Sequence, residues 1–122
     1  MIDRLRSHVE AIQEPRDWRS SPEGLRRAEA YVVAELEALG LRVRREPFEF
    51  KGRHFENIVA SLDPGASSPR QLIGAHLDTV PGSPGANDNG SGLAGIIEAA
   101  RDLIENPPTG PVDFAAFHRR PA

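Results

Sequence analysis

The first forty residues carry two apolar patterns with the spacing of amphipathic helices. Four apolar residues recur at intervals of three and four before Pro15 ends the first pattern: Ile2, Leu5, Val9 and Ile12. A second helix is predicted from Ser20 to Gly40, with a capping box at Ser20 or an N-cap at Ser21 as alternative starts and Gly40 as the C′ residue. Its predicted buried stripe is Leu25, Ala28, Val32, Leu36 and Leu39.

Alternating apolar and polar residues then predict a β-hairpin with one face on the core. One strand runs from Leu41 to Phe50 and the other from Phe55 to Leu62, with a turn at Lys51 and Gly52. The segment from Asp63 to Pro69 is polar and rich in helix- and strand-breaking residues, so it is predicted to be a loop.

A strand, a loop, a helix and a strand follow in the order of an α/β unit. Gln71 to Ala75 is a short apolar run of the kind that a buried strand gives, and a polar loop occupies Pro81 to Gly92. A helix is predicted over Leu93 to Ile104, followed by a returning strand over Val112 to Phe117. A right-handed crossover would place the two strands parallel to each other.

The composition narrows the chemistry. The 122 residues are 39% hydrophobic, which suits one modest domain over residues 1–122, and the absence of cysteine confines any metal to His, Asp or Glu ligands. The net charge of -3 gives no basic field, so neither a nucleic-acid nor a membrane partner is expected. No apolar run approaches the roughly 20 residues of a membrane span, and the start of the chain has no signal-peptide pattern, so we predict a cytoplasmic protein.

Two candidate functional residues, His76 and Asp78, directly follow the strand predicted at Gln71 to Ala75. Open α/β sheets bind ligands beyond the carboxyl ends of their strands. In a His-x-Asp sequence the carboxylate lies near the imidazole, where it fixes the tautomer and raises the basicity of the nitrogen that faces a metal. A surface histidine beside a helix-capping aspartate explains the same pair without a function.

The loop from Gly85 to Gly92 adds a third candidate, Asp88. This residue lies twelve positions after His76 on a loop that can fold back over the strand ends, so its carboxylate could reach a metal held by His76. Capping of the next helix by Asp88, Asn89 or Ser91 is the alternative. A phosphate-binding loop is disfavoured because the segment contains no GxxxxGKS/T.

Taken together, the segment from Leu72 to Ala100 closely resembles the di-zinc aminopeptidase family, the co-catalytic zinc exopeptidases. The family pattern is a strand ending in Ala-His-x-Asp-Ser/Thr, then Gly-Ala-x-Asp-Asn-x-Ser-Gly at the start of a helix, and both pieces are present. Residues 57–60 also resemble the family's Asn-x-x-Ala, so the resemblance covers most of the chain from about Ser20 to Phe117.

The resemblance implies an α/β/α sandwich with a mixed sheet, of the zinc-exopeptidase (phosphorylase/hydrolase-like) type. It also implies hydrolysis of N-terminal peptide bonds with two zinc ions, on a peptide or amide substrate with a free amino terminus. His76 would be a ligand of one zinc, Asp88 the carboxylate that bridges both zincs, and Asp78 the residue that orients His76. Asn89 would follow Asp88 across a peptide bond that is often cis in the family.

The chain departs from this family after the strand Val112 to Phe117. The family places a Glu-Glu pair there, a general base and a zinc ligand, whereas this chain has His118, Arg119, Arg120 and Pro121. A further Asp and His ligand of the family have no counterpart. With two protein ligands and no base, we expect weak or absent zinc binding and no efficient hydrolysis by this chain alone, and we expect Arg119 and Arg120 to repel a divalent cation. We interpret the chain as the amino-terminal portion of a zinc peptidase catalytic domain, incomplete and truncated after Phe117.

Some of these interpretations have alternatives. His118 could replace a missing zinc ligand, although an exposed histidine without function is the simpler interpretation of His118, His8 and His54. The strand Val112 to Phe117 is predicted to be an exposed sheet edge through which the chain self-associates. The segment from His76 to Pro81 also resembles the His-x-Asp-x-Val-Pro of di-zinc carboxypeptidases and deacylases, although that family places its bridging Asp farther along the chain. A non-catalytic remnant or binding fragment is the remaining alternative.

Overall fold

The computed structural model describes residues 1–65 and 69–119. The helices of this part of the chain are α1 (Ile2–Ile12), α2 (Pro22–Ala38) and α3 (Gly92–Glu105). The strands are β1 (Val43–Phe50), β2 (Arg53–Leu62), β3 (Gln71–His76) and β4 (Val112–Phe117). A kinked turn (Ala86–Ser91) connects the loop after β3 to α3. The predicted helices, hairpin strands and α/β unit are therefore all present.

Local chemistry sets both ends of α2. Ser21 is the N-cap residue and makes no side-chain capping hydrogen bond, while Pro22 begins the helix with its pre-set backbone angle. The hydroxyl of Ser20 donates instead to the carboxylate of Asp17, at 2.6 Å, so the capping-box alternative is wrong and the Ser21 alternative is confirmed. Gly40 ends the helical region with a φ of 89°, a left-handed conformation that favours glycine.

The four strands form one mixed sheet in the order β1-β2-β4-β3. Strands β1 and β2 are antiparallel and are joined by Lys51 and Gly52, whose φ values of 50° and 77° suit a tight hairpin turn. Strand β4 pairs antiparallel with β2 and parallel with β3. Helix α3 crosses between the two parallel strands, as the sequence predicted.

Strand β4 lies inside the sheet, so the prediction that it forms an exposed edge is wrong. Strand β2 pairs with it from Ile58 opposite Ala116 to Leu62 opposite Val112, and β3 pairs with its other side. The order of elements along the chain does not show which strands pair, and it suggested an edge for this reason. In the structure, the long strand β2 pairs with β1 on one side and with β4 on the other. Among the described residues, the outer strands of the sheet are β1 and β3.

One hydrophobic core joins the helices to a single face of the sheet. Its residues come from all three helices and from β2, β3 and β4: Ile12, Leu25, Ala28, Val32, Leu36, Ile58, Ala60, Ala75, Leu93, Phe114 and Ala116. Helices α2 and α3 pack on this face, and α1 packs on α2, α3 and the kinked turn, so the three helices form one layer. The architecture is of the α/β class with a mixed sheet. Within residues 1–65 and 69–119, no helix has both the length and the apolar character needed to cross a membrane.

Candidate metal centre

The structure brings His76 and Asp88 together at the carboxyl end of β3. His76 is the last residue of that strand, and its side chain is 16% exposed. Asp88 lies in the kinked turn, with φ of -107° and ψ of 91° that depart from helical geometry, and its side chain is 72% exposed. The Nε2 atom of His76 lies 3.0 Å from Oδ1 of Asp88. An imidazole nitrogen and a carboxylate oxygen therefore converge at the edge where an α/β sheet binds its ligands.

Asp78 contacts His76 mainly through its main chain. The Nδ1–H of His76 donates to the carbonyl oxygen of Asp78 at 3.0 Å, while the nearest carboxylate oxygen of Asp78 is 3.5 Å away. This bond fixes the tautomer and leaves Nε2 as the nitrogen that is available to a metal. The carboxylate of Asp78 also accepts a hydrogen bond from the backbone N–H of Arg119 at 3.2 Å and one from its Nε–H at 3.4 Å.

The kinked turn is organised by its own polar groups. Ser91 is the N-cap residue of α3 and makes no side-chain capping hydrogen bond, while the side-chain oxygen of Asn89 accepts the backbone N–H of Gly92 at 3.2 Å. Asp88 therefore does not cap α3. The hydroxyl of Ser91 donates to the carbonyl of Asn87 at 2.7 Å. The peptide bond between Asp88 and Asn89 is cis. These contacts leave the carboxylate of Asp88 facing His76.

By donor type, His76 and Asp88 fit a zinc ion, which binds imidazole nitrogen and carboxylate oxygen. In the described part of the chain, no group of three or more His, Asp or Glu side chains is arranged to hold a metal. Zinc sites in proteins use at least three protein ligands. The described residues thus offer one pair of donors and not a complete zinc site.

His118 does not join this pair, and the interpretation of it as an exposed residue is also wrong. Its side chain is 5% exposed, and its Nε2–H donates to Glu29 Oε2 at 2.6 Å and to the carbonyl oxygen of Glu56 at 3.0 Å. The backbone N–H of His118, directly after β4, donates to the side-chain oxygen of Asn57 at 3.0 Å. The imidazole of His118 lies toward α2, which carries Glu29. His118 is therefore committed to Glu29 and is not placed as a third zinc ligand.

The two other histidines outside the site differ from each other. His54 is 80% exposed, as predicted. His8 is 4% exposed, contrary to the prediction, and its Nε2–H donates to Glu98 at 2.8 Å. Of the two arginines predicted to repel a cation, Arg119 contacts Asp78, while Arg120 lies outside the described residues.

Sequence reasoning missed Arg16, which is fully buried beneath the loop that connects β3 to the kinked turn. The segment around it looks like an ordinary polar connection between two helices, because a buried arginine has no hydrophobic period. A signal that could have found it is its position directly after Pro15, at the end of the first helical pattern. The reach of Arg16 to a loop more than sixty residues away appears only in the folded chain.

With this geometry described, comparison with known proteins identifies several relatives. The chain is 34% identical over 103 residues to the uncharacterized protein YfbL of Escherichia coli (strain K12), covering 78% of this chain and 32% of YfbL. It is 30% identical over 101 residues to aminopeptidase YwaD of Bacillus subtilis (strain 168), covering 77% of this chain and 20% of YwaD. Among solved structures, glutaminyl cyclase of Porphyromonas gingivalis matches with a TM-score of 0.80 and 31% identity, over 97% of this chain and 45% of the cyclase.

These relatives are longer than the chain. The chain spans about a third or less of the curated relatives and less than half of the solved structures that it matches. The model of peptidase family M28 matches residues 57–119, slightly more than half of the chain, and this match includes the part of β2 from Asn57 onward, β3, the kinked turn, α3 and β4. The segment that carries His76 and Asp88 therefore places this chain in peptidase family M28.

Proposed function

We propose that this chain supplies the first two ligands of an aminopeptidase-type zinc centre. His76 would be a ligand of one zinc ion through Nε2, the Asp88 carboxylate would be shared by two zinc ions, and Asp78 would orient His76. The observation that carries this proposal is the 3.0 Å approach of His76 Nε2 to Asp88 Oδ1 at the carboxyl end of a parallel strand, within the segment matched by the peptidase family. The substrate is a peptide or amide with a free amino terminus.

The residues of the chain prepare the site for a metal in three ways. The carbonyl oxygen of Asp78 accepts a hydrogen bond from the Nδ1–H of His76, so the lone pair of Nε2 faces the Asp88 carboxylate. The exposure of Asp88 leaves its carboxylate accessible to a cation. The buried strand end beneath holds His76 in place. When bound, zinc supplies Lewis-acid chemistry that activates water and polarises the scissile carbonyl group.

We further propose that the described residues bind zinc weakly and do not complete the catalytic machinery. They provide two metal donors where zinc sites use at least three, and no carboxylate from β4 reaches the pair. A carboxylate base must lie within hydrogen-bond reach of the water that it deprotonates. Efficient hydrolysis therefore requires groups beyond the donor pair, which is consistent with the much greater length of the relatives.

Zinc titration of the purified chain tests this proposal. We expect weak binding in the wild type and at least ~10-fold weaker binding in His76→Ala and Asp88→Asn, because each variant removes one of two ligands. His54→Ala and Asp3→Asn are the matched controls, since both residues are exposed and lie outside the site, and they should bind zinc like the wild type. Isothermal titration calorimetry measures all five proteins. Zinc binding that neither site variant weakens, or no binding at all, would contradict the proposal.

Activity assays on the same proteins separate the remaining functions. Leucine-anilide hydrolysis reports aminopeptidase activity, and an N-acylated amino acid reports the carboxypeptidase and deacylase alternative. Cyclisation of an N-terminal glutaminyl peptide is included because the matched Porphyromonas gingivalis protein is a glutaminyl cyclase. We expect no efficient turnover of any of the three. Turnover of the leucine substrate that disappears in His76→Ala would show that the chain completes a catalytic site. Absence of both turnover and zinc binding would favour a binding fragment.

A further inference from the structure

The guanidinium group of Arg16 lies in a cage of backbone carbonyl groups. Arg16 is 0% exposed, and its three nitrogens donate five hydrogen bonds to main-chain oxygens. The acceptors are Leu77 (2.8 Å), Ile12 (2.9 Å), Pro84 (3.0 Å), Glu14 (3.1 Å) and Gly85 (3.3 Å). A buried cation is tolerated when its donors are satisfied, and the planar fork of arginine can serve several acceptors at once.

Arg16 holds both ends of the loop that separates the two metal donors. Leu77 directly follows His76, and Gly85 directly precedes the kinked turn that carries Asp88. The carbonyl of Gly85 also accepts the backbone N–H of Gly90 at 2.8 Å, which ties the Arg16 contact to the turn itself. One side chain therefore contacts the loop both where it leaves the strand and where it enters the turn.

The backbone of Arg16 makes the same connection a second time. Its N–H donates to the Thr79 hydroxyl at 2.9 Å, and its carbonyl accepts the N–H of Thr79 at 3.2 Å. Gly85 is required for this close approach, because its φ is 60° and a Cβ there would lie 2.8 Å from Nη2 of Arg16 and 2.3 Å from Cγ2 of Thr79. Arg16, Thr79 and Gly85 are therefore closely packed, with no room for a larger residue at position 85.

We propose that Arg16 is a positioning residue for the metal donors, because its guanidinium holds both ends of the loop Leu77–Gly85 and thereby sets the approach of Asp88 to His76. The inference deepens the proposed function and rests on it for the role in zinc binding. A purely structural role, in which Arg16 only attaches α1 to the sheet, predicts lower stability with unchanged geometry between the two donors. The two roles are therefore separable by experiment.

The first experiment compares zinc-free crystal structures of the wild type, Arg16→Lys and the matched control Arg27→Lys. Arg27 also pairs with the α1–α2 connection, through Glu14, but it is 64% exposed and does not reach the loop. Lysine keeps the charge of Arg16 and loses the planar fork. We expect the contact between His76 and Asp88 to be lost in Arg16→Lys and kept in Arg27→Lys. A contact that persists in Arg16→Lys would overturn the inference, whatever the result with zinc.

The second experiment measures zinc affinity in the same proteins and in Asp88→Asn with and without Arg16→Lys. We expect Arg16→Lys to weaken binding ~10-fold in the wild type, the lower end for groups that orient metal ligands, and to have no further effect once Asp88 is replaced. Equal losses in both backgrounds would show a general structural effect and overturn the inference. If the wild type itself binds no zinc, the proposed function fails while the crystal structures still decide the role of Arg16.

If Arg16→Lys is too unstable to purify, Gly85→Ala disrupts the same contact from the loop side, because the added Cβ would lie 2.8 Å from Nη2 of Arg16 and 2.3 Å from Cγ2 of Thr79, which binds the Arg16 backbone. Gly82→Ala is its matched control, since Gly82 also has a positive φ, of 78°, but has open space around it. We expect Gly85→Ala to separate His76 from Asp88 and Gly82→Ala to leave them in contact. The same separation, or its absence, in both glycine variants would overturn the inference.

Discussion

At the scale of single residues, the donor pair was predictable because its members are close along the chain. A strand end and the loop that follows it are neighbours in any α/β unit, so the twelve-residue spacing indicated that Asp88 could reach His76, and the resemblance to the zinc exopeptidases favoured this over helix capping. The surroundings of His8 and His118 were not predictable, because their acidic partners lie 90 and 89 positions away. Arg16 was missed for the same reason.

The geometry around His76 predicts a small effect of replacing the Asp78 carboxylate. Its main-chain carbonyl makes the 3.0 Å contact with Nδ1, and Asp78→Asn keeps that carbonyl. We therefore expect zinc affinity to fall by less than the ~10-fold that marks the loss of a dominant orienting group. Calorimetric titration of Asp78→Asn beside His76→Ala measures this difference. A loss as large as that of His76→Ala would mean that the carboxylate, and not the carbonyl, controls the imidazole.

At the scale of elements, a buried polar cluster joins the three helices. Glu98 of α3 is 2% exposed and accepts hydrogen bonds from Arg4 at 2.7 Å, His8 at 2.8 Å and Arg101 at 3.1 Å. Burial alone would raise the pKa of Glu98, but the hydrogen bonds from these three partners outweigh it and lower the pKa to about 2. Tyr31 of α2 contacts His8 through its hydroxyl. Burial and the nearby charge of Glu35 raise the pKa of Tyr31 to about 12.

The lowered pKa of Glu98 predicts loss of stability in acid. A carboxylate with a folded-state pKa below its unfolded value of 4.5 stabilises the fold fully above that value, and this contribution is lost as the pH falls toward 2. For Glu98 the contribution to the free energy of unfolding is about 3 kcal/mol. Urea unfolding at pH 7, 4.5 and 3 should show a smaller acid loss in Glu98→Gln than in the wild type. Glu105→Gln, at the exposed end of α3, is the control, and equal pH dependence in all three proteins would contradict the prediction.

The elements themselves were largely predictable, since each has a clear local pattern. The bounds of α1 follow from apolar spacing, and the turn at Lys51 and Gly52 follows from the break in the alternating pattern and from the glycine, which accepts a positive φ. The sheet order was not predictable in this way. Whether β4 lies at an edge depends on whether β2 pairs with β4 or with β3, and that choice is made by burial of the whole face, which includes Phe114 and Ala116.

At the scale of the whole molecule, the two outer strands of the described sheet differ in how they discourage pairing with another chain. Strand β1 carries Pro47, which lacks an N–H, and four charged residues: Arg44, Arg45, Glu46 and Glu49. Strand β3 carries no charged Lys, Arg, Asp or Glu side chain, and its Leu72 is 69% exposed. Phe117 of the neighbouring strand is 38% exposed and extends this apolar surface. Self-association, first expected at β4, is therefore predicted at β3.

Placing a charge on β3 tests this prediction. We expect the wild type to self-associate with increasing concentration and Leu72→Lys to stay monomeric over the same range, because a lysine on an outer strand repels a second copy and disfavours its pairing. Ile2→Lys is the matched control, since Ile2 is 71% exposed on α1 and should not change the association. Sedimentation velocity at a series of concentrations measures all three proteins. The prediction is contradicted if the wild type is monomeric at every concentration, or if Leu72→Lys and Ile2→Lys weaken the association equally. Strand pairing through β3 should depend on Leu72 and not on Ile2, whereas non-specific apolar association would depend on both.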